Sequence, residues 1–123
     1  MRNLMQVIRQ TSISASAILL TVPAVAHHST SMYDLGKTVT LNGTIKAFHW
    51  TNPHCSIDLL VPSANGQQEW SIQLGPPTKL YREDWKPLMF KPGDLMTASV
   101  HPMRNGTHRG LLISRTSSDG KPK

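Results

Sequence analysis

A regular alternation of apolar and polar side chains in residues 38–48 places the strongest constraint on the fold. Every second position on one face of this stretch is apolar: Val39, Leu41, Ile45 and Ala47. A period of two over this length is typical of a long, half-buried β-strand. Gly43 interrupts the middle of the stretch and predicts a bend or bulge, as a barrel strand requires where it turns a corner.

Four shorter segments also have the features of strands, and turn signals separate them. These segments are residues 54–61, 69–74, 95–101 and 110–115. The turn signals are Thr51-Asn52-Pro53, Asn65-Gly66, Lys91-Pro92-Gly93-Asp94 and Asn105-Gly106. The alternation within the segments predicts a common core: Val39, Leu41, Ile57, Leu59, Trp70 and Ile72.

One short helix is predicted between the third and fourth strands. Thr78 can cap it, and Tyr81 and Trp85 would share its apolar side because they are four residues apart. The order is then three strands, a helix and two strands, which is the order of the OB-fold. We therefore predict an all-β protein, a small five-stranded antiparallel OB-like barrel, with a small open sandwich as the alternative.

Residues 1–26 have the features of a secretory signal peptide. Arg2 and Arg9 precede an apolar run over residues 13–22, and Ala24-Val25-Ala26 provides the small residues of a cleavage site. The run is shorter than the roughly 20 residues that span a bilayer, which favours cleavage over an uncleaved anchor. We therefore expect a periplasmic or secreted protein that begins at His27 and has no membrane span after cleavage.

The rest of the chain divides into three parts. They are an N-terminal arm of residues 27–37, a barrel domain of residues 38–116 and a polar tail of residues 117–123. The chain has 13 Lys and Arg residues against 7 Asp and Glu, and cleavage would remove two of the 13. The remaining basic residues are scattered singly, so we expect no nucleic acid as a partner.

The sequence contains no motif that indicates catalysis. It has no nucleophile elbow, phosphate-binding glycine loop or dinucleotide fingerprint, and its carboxylates are spread without a pairing. Cys55 is the single cysteine, which excludes an internal disulfide. Since Cys55 falls on the core face of its strand, we expect a small buried apolar residue. The protein is therefore not expected to be an enzyme.

All six histidines follow residue 26, and two of them would form the new N-terminus. With cleavage after Ala26, His27 carries a free α-amine and an imidazole that can chelate one metal ion. A third nitrogen from His54 would complete a histidine brace, a site that favours Cu(II), with His49 or His28 as alternates. Met32 and Met103 could add a soft ligand for Cu(I). His101 and His108 are expected to have no such role.

Two classes of function follow from these features. The first is a small exported binding protein that binds or handles copper through its N-terminal histidine. The second is a β-barrel module that holds a periplasmic protein partner or a small ligand, with incidental histidines. Phe48 and Trp50, at the end of the first strand, could supply the binding face, although packing in the core is their more usual role.

The chain from residue 27 to 121 resembles a family of small exported bacterial proteins known as a domain of unknown function. The matching segments are His27-His28-Ser29, Tyr33-Asp34, residues 39–45, residues 48–54, residues 80–85, Lys91-Pro92-Gly93-Asp94 and Asp119-Gly120-Lys121. The resemblance implies an exported, small β-barrel-like domain and implies no activity. The copper hypothesis therefore depends on the histidines and the cleavage site.

Overall fold

The computed structural model of the protein describes residues 30–116, which form five β-strands, one α-helix and one short 3-10 helix. In chain order the elements are a 3-10 helix (Thr30–Met32), β1 (Val39–His49), β2 (Ser56–Ser63), β3 (Gly66–Gln73), α1 (Pro77–Arg82), β4 (Leu95–Pro102) and β5 (Arg109–Thr116). The predicted signal peptide and polar tail lie outside the described residues.

The strands close into a barrel in the order β1-β2-β3-β5-β4, and β4 pairs again with β1. The first half of β1 pairs with β4, and its second half pairs with β2. This arrangement confirms the predicted all-β barrel with a short helix between β3 and β4. A single long strand thus pairs with two neighbours.

The prediction of a purely antiparallel barrel is wrong at one strand pair. β3 and β5 run parallel, with Ser71 opposite Arg109 and Gln73 opposite Leu111. The reason is topological, because strand direction cannot alternate at every step around a closed ring of five. At least one strand pair must therefore be parallel, and here the parallel pair of β3 and β5 closes the barrel.

Gly43 and the bulge in β1 are two separate features. A Cβ atom at Gly43 would overlap the backbone carbonyl of Leu60, so the close approach of β2 requires glycine there. The register shift lies further along, between Ile45 and Ala47. A bulge of one residue reverses the alternation, which brings Phe48 opposite Ile57 and turns it toward the core.

The core is formed by side chains from all five strands and from the segment around α1. Its most deeply buried members are Leu41, Ile45, Cys55, Ile57, Leu59, Ile72, Ala98 and Val100. Of the predicted core residues, Val39 and Trp70 are only half-buried and pack against this cluster. Cys55 is completely buried, as the strand pattern indicated.

The helix α1 begins at Pro77 and has no side-chain cap, so the predicted cap at Thr78 is wrong. Proline fits the first helical position because its fixed φ is already helical. Asp84 follows the helix with φ of 62°, and the Trp85 N–H donates to the carbonyl of Leu80 over 3.0 Å. This Schellman ending packs Trp85 near Leu80. Trp85 is buried and Tyr81 is 56% exposed, so these two residues do not share an apolar side.

Candidate ligand-binding site

The N-terminal arm is fixed against the connection between β4 and β5. The Asp34 N–H donates to the Pro102 carbonyl over 2.8 Å, and the Arg104 N–H donates to the Met32 carbonyl over 3.0 Å. Tyr33 forms a β-bridge with Met103. These bonds fix residues 32–34 against the barrel.

Tyr33 anchors the arm with its side chain. It is 2% exposed, and its hydroxyl donates to Gln73 Oε1 of β3 over 3.0 Å. Burial raises the pKa of Tyr33 above its ordinary value, and the positive charge of Arg109 partly offsets that rise. The Tyr33 hydroxyl therefore stays protonated at ordinary pH and can donate a hydrogen bond. Arg109 is close enough for its positive charge to lower the pKa of that hydroxyl.

A polar pocket of about 270 Å³ lies beside Tyr33, between the arm, the β1–β2 loop and the strands β2, β3 and β5. We call this site the polar pocket. Its lining residues are Tyr33, Thr51, Asn52, Pro53, His54, Cys55, Ser56, Ser71, Gln73 and Arg109. The lining contains hydroxyl and amide groups, one arginine and one histidine, and it contains no carboxylate.

The β1–β2 loop holds His54 at the border of this pocket. The peptide bond between Asn52 and Pro53 is cis, and Thr51 Oγ1 donates to the His54 carbonyl over 3.0 Å. Cys55, the next residue, exchanges backbone hydrogen bonds of 2.9 and 3.0 Å with Leu74 and Gly75. His54 is therefore fixed on both sides, and its side chain is half-buried.

A second pocket, of about 420 Å³, lies between α1, β3 and β5. We call it the helix pocket. Its lining residues are Thr30, His54, Gln73, Leu74, Gly75, Pro76, Lys79, Leu80, Glu83, Trp85, Leu111, Leu112 and Ile113. His54 and Gln73 line both pockets. The helix pocket also places Thr30, the first residue of the described range, beside the same cavity as His54.

The predicted metal ligands are not assembled within the described residues. His27 and His28 lie outside this range, and His49 is half-exposed with its Nε2 atom 2.7 Å from Asp58 Oδ2. Within residues 30–116, no three His, Cys, Asp or Glu side chains are grouped closely enough to hold a metal ion. Of the predicted ligands, His54 is the one that lines a pocket together with the arm.

The two histidines expected to have no metal role have structural contacts. His101 Nδ1 lies 2.8 Å from the Lys37 carbonyl oxygen. The ring of His108 packs edge-on against Trp70, with centroids 5.2 Å apart.

Reasoning from the sequence missed the roles of Tyr33, Gln73 and Arg109. Tyr33 and Gln73 are 40 residues apart in the chain. Arg109 approaches them through the parallel pairing of β5 with β3. The one signal in the sequence that could have indicated these roles was the Tyr33-Asp34 segment. It is part of the family resemblance, but the resemblance implied no role for it.

Residues 16–114 match the model of a family described as a family of unknown function (DUF6152). The chain belongs to this family. No curated protein matches the chain. In the part of the chain that the structure describes, no helix has the length and apolar character needed to cross a membrane.

Among solved structures, the barrel is similar to the mitochondrial single-stranded DNA binding protein Rim1 from S. cerevisiae. The two are 10% identical, with a TM-score of 0.50, and the match covers 67% of this chain and 93% of that one. At this identity the likeness shows the OB-like fold alone.

Proposed function

We propose that this protein is a small exported metal-binding protein, not an enzyme, and that its N-terminal histidine binds Cu(II). In this proposal the signal peptide is cleaved after Ala26. The α-amine and imidazole of His27 then chelate the ion, and His54 supplies the third nitrogen. His28 and His49 are the alternate ligands.

The observation that supports this assignment is the shared position of Thr30 and His54 at the helix pocket. Three residue steps lead from His27 to Thr30, and an extended chain of that length spans about 10 Å. The arm is fixed at residues 32–34 by its bonds to the β4–β5 connection. A chain end that starts from Thr30 can therefore reach the rim of the pocket that His54 lines.

The chemistry of the donors fits copper. The α-amine titrates near ~7.7–8, so a metal ion can displace its proton at ordinary pH. Three nitrogen ligands with open positions suit Cu(II), which also ranks highest in affinity among the divalent first-row metals. His49 is the alternate ligand, and its Nε2 atom lies 2.7 Å from Asp58 Oδ2. Met32 is exposed on the arm and could add a soft ligand for Cu(I).

The test compares two preparations of the protein by copper competition titration. One begins at His27, as intact mass verifies, and the other carries one extra N-terminal residue. The extra residue removes the α-amine chelate and leaves every imidazole in place, so copper affinity should fall at least tenfold. Equal affinity in the two preparations would falsify the brace.

Two substitutions identify the third ligand. His54→Ala should also weaken copper binding at least tenfold, whereas His108→Ala is the matched control and should leave it unchanged. If His54→Ala has no effect and His49→Ala does, the third nitrogen comes from His49. A mature mass that retains residues 1–26 would remove the basis of the proposal.

The alternative function is a module that holds a protein partner. An exposed tyrosine supports it, because Tyr81 is 56% exposed and packs edge-on against the half-buried Trp50 with centroids 4.9 Å apart. Exposed aromatic side chains are common anchors of protein interfaces. A photocrosslinking residue at Tyr81 should then capture one partner in the periplasm, and the same residue at Asn65 should not. Equal labelling at both positions would exclude this face.

A further inference from the structure

We infer that the polar pocket is a binding site for a small oxyanion, the carboxylate or phosphate group of a compact polar molecule. The pocket volume of about 270 Å³ sets the size of the ligand. One liquid water molecule occupies about 30 Å³, so the pocket holds the equivalent of about nine waters. A ligand of about ten non-hydrogen atoms is therefore near the upper limit.

The charges around the pocket favour an anion. Arg109 carries a positive charge, and none of the lining residues is Asp or Glu. Asp58, two residues beyond Ser56 on β2, is engaged by His49 at 2.7 Å. No carboxylate within residues 30–116 lies within 4.0 Å of the Arg109 guanidinium, in contrast to Arg104, which lies 3.9 Å from Asp34. Arg109 thus retains its charge for a ligand.

The neutral groups of the pocket include hydroxyls and an amide that can donate hydrogen bonds. Tyr33 donates to Gln73 Oε1, which fixes the side-chain amide so that its NH₂ group remains to donate elsewhere. Ser56 pairs in register with Gln73, and Ser71 pairs with Arg109. Neighbouring strands therefore bring two hydroxyls, an amide and a guanidinium to one polar patch. Planar guanidinium binds carboxylate and phosphate oxygens in a bidentate manner, which adds strength and orientation.

This site does not depend on the copper proposal. The copper proposal uses the α-amine of His27 and the ring of His54, whereas the anion site centres on Arg109 and Gln73. His54 and Gln73 line both pockets, and of these two only His54 is also a proposed copper ligand. Anion binding is therefore expected in protein freed of metal and also in protein that carries the extra N-terminal residue.

The experiment titrates the metal-free mature protein, held in a chelator, with inorganic phosphate and separately with malate at constant ionic strength. Amide chemical shifts in a two-dimensional NMR spectrum report the site. The backbone amides of Ser56, Ser71, Gln73 and Arg109 should shift in a saturable manner. Saturation by only one of the probes assigns the ligand as a phosphate or as a carboxylate.

Arg109→Gln should weaken binding of the effective probe at least tenfold, because a hydrogen bond to a charged group is lost. Arg82→Gln is the matched control, since it removes the same charge from the exposed end of α1. It should change the affinity less than twofold. Arg109→Lys retains the charge without the bidentate geometry and should give an intermediate affinity.

Two results would overturn the inference. The first is shifts that do not saturate, or that spread over all basic surface residues. The second is an equal loss of affinity in Arg109→Gln and Arg82→Gln, since that outcome reflects net charge alone. Anion binding is also measured in the protein with the extra N-terminal residue, which cannot form the α-amine chelate. If anion binding persists there, the outcome of this experiment is independent of any failure of the copper proposal.

Discussion

Replacing Tyr33 by alanine should release the N-terminal arm from the barrel while the barrel itself remains folded. Tyr33 is the one buried side chain among the described arm residues 30–37. It lies outside the main hydrophobic cluster, so its removal leaves the barrel core intact. The substitution therefore tests the attachment of the arm separately from the stability of the fold.

The expected size of the effect of Tyr33→Ala follows from the interactions that hold the arm on the barrel. Truncating a buried aromatic side chain to alanine costs about 3–5 kcal/mol. The two backbone hydrogen bonds from residues 32–34 to the barrel contribute about 0.5–1.5 kcal/mol each. The Tyr33 side chain therefore contributes more to holding the arm on the barrel than the two backbone hydrogen bonds do. Against these contributions, ordering each arm residue costs about 1–2 kcal/mol of conformational entropy. Without the Tyr33 side chain, the two backbone hydrogen bonds and the side-chain contacts of Arg104 and His101 with the arm do not offset this ordering cost.

Release of the arm also lengthens the tether that carries His27. In the attached state, three residues connect His27 to Thr30. In the released state, the first fixed residue is Val39 at the start of β1, which makes the tether twelve residues long. Effective concentration falls roughly as the −3/2 power of tether length, so a fourfold longer tether lowers it about eightfold. Copper affinity should therefore fall about eightfold in Tyr33→Ala.

Hydrogen exchange and copper titration together provide the assay. The amides of Asp34 and Arg104 should lose protection in Tyr33→Ala, and those of the barrel strands should not. Tyr33→Phe is the control, because it removes only the hydroxyl that donates to Gln73 and should retain the arm. If the arm is released and copper affinity stays at the Tyr33→Phe value, the position of the arm makes no contribution to metal binding.

Four further predictions concern the barrel domain. Gly43→Ala should lower the free energy of unfolding by about 1–3 kcal/mol in urea, because its Cβ overlaps the Leu60 carbonyl, whereas Gly36→Ala should have almost no effect. Cys55 should react with iodoacetamide only after unfolding, because burial excludes reagent and raises the pKa of its thiol. For the same reason, stability should decline as the pH rises through the folded-state pKa of Cys55, and a flat profile would contradict this. Fluorescence anisotropy with a single-stranded oligonucleotide should detect no binding at physiological salt.

The strands could be predicted because their signal is local. Before the bulge in β1, the predicted apolar face is the less exposed one, with Leu41 and Ile45 buried. The hairpin at Asn65-Gly66 lies between β2 and β3 where the turn chemistry indicated. The same approach was wrong at the end of α1. There the left-handed conformation of Asp84 turns Trp85 back over the helix. Helical spacing cannot predict which residues share a face beyond the last helical turn.

The pockets could not be predicted, because their residues meet through long-range pairing. The parallel register of β3 with β5 brings Ser71 and Arg109 together, and no local pattern encodes that register. Attachment of the arm likewise depends on Tyr33 reaching Gln73 across 40 residues. The copper hypothesis came from a different kind of signal, the N-terminal histidine that cleavage after Ala26 would expose. Residues 27 and 28 lie outside the described structure.

The shared position of His54 leads to a last prediction, which rests on both proposals. His54 borders the helix pocket and the polar pocket, so a copper ion on its ring would place positive charge beside the anion site. Attraction between the two ligands should make each bind more tightly in the presence of the other. Linkage requires the two enhancement factors to be equal, so the copper-induced gain in phosphate or malate affinity must match the anion-induced gain in copper affinity. Parallel titrations measure both factors. In His54→Ala both should fall to one, and a coupling that survived this substitution would show that the two ligands communicate by a route that does not pass through His54.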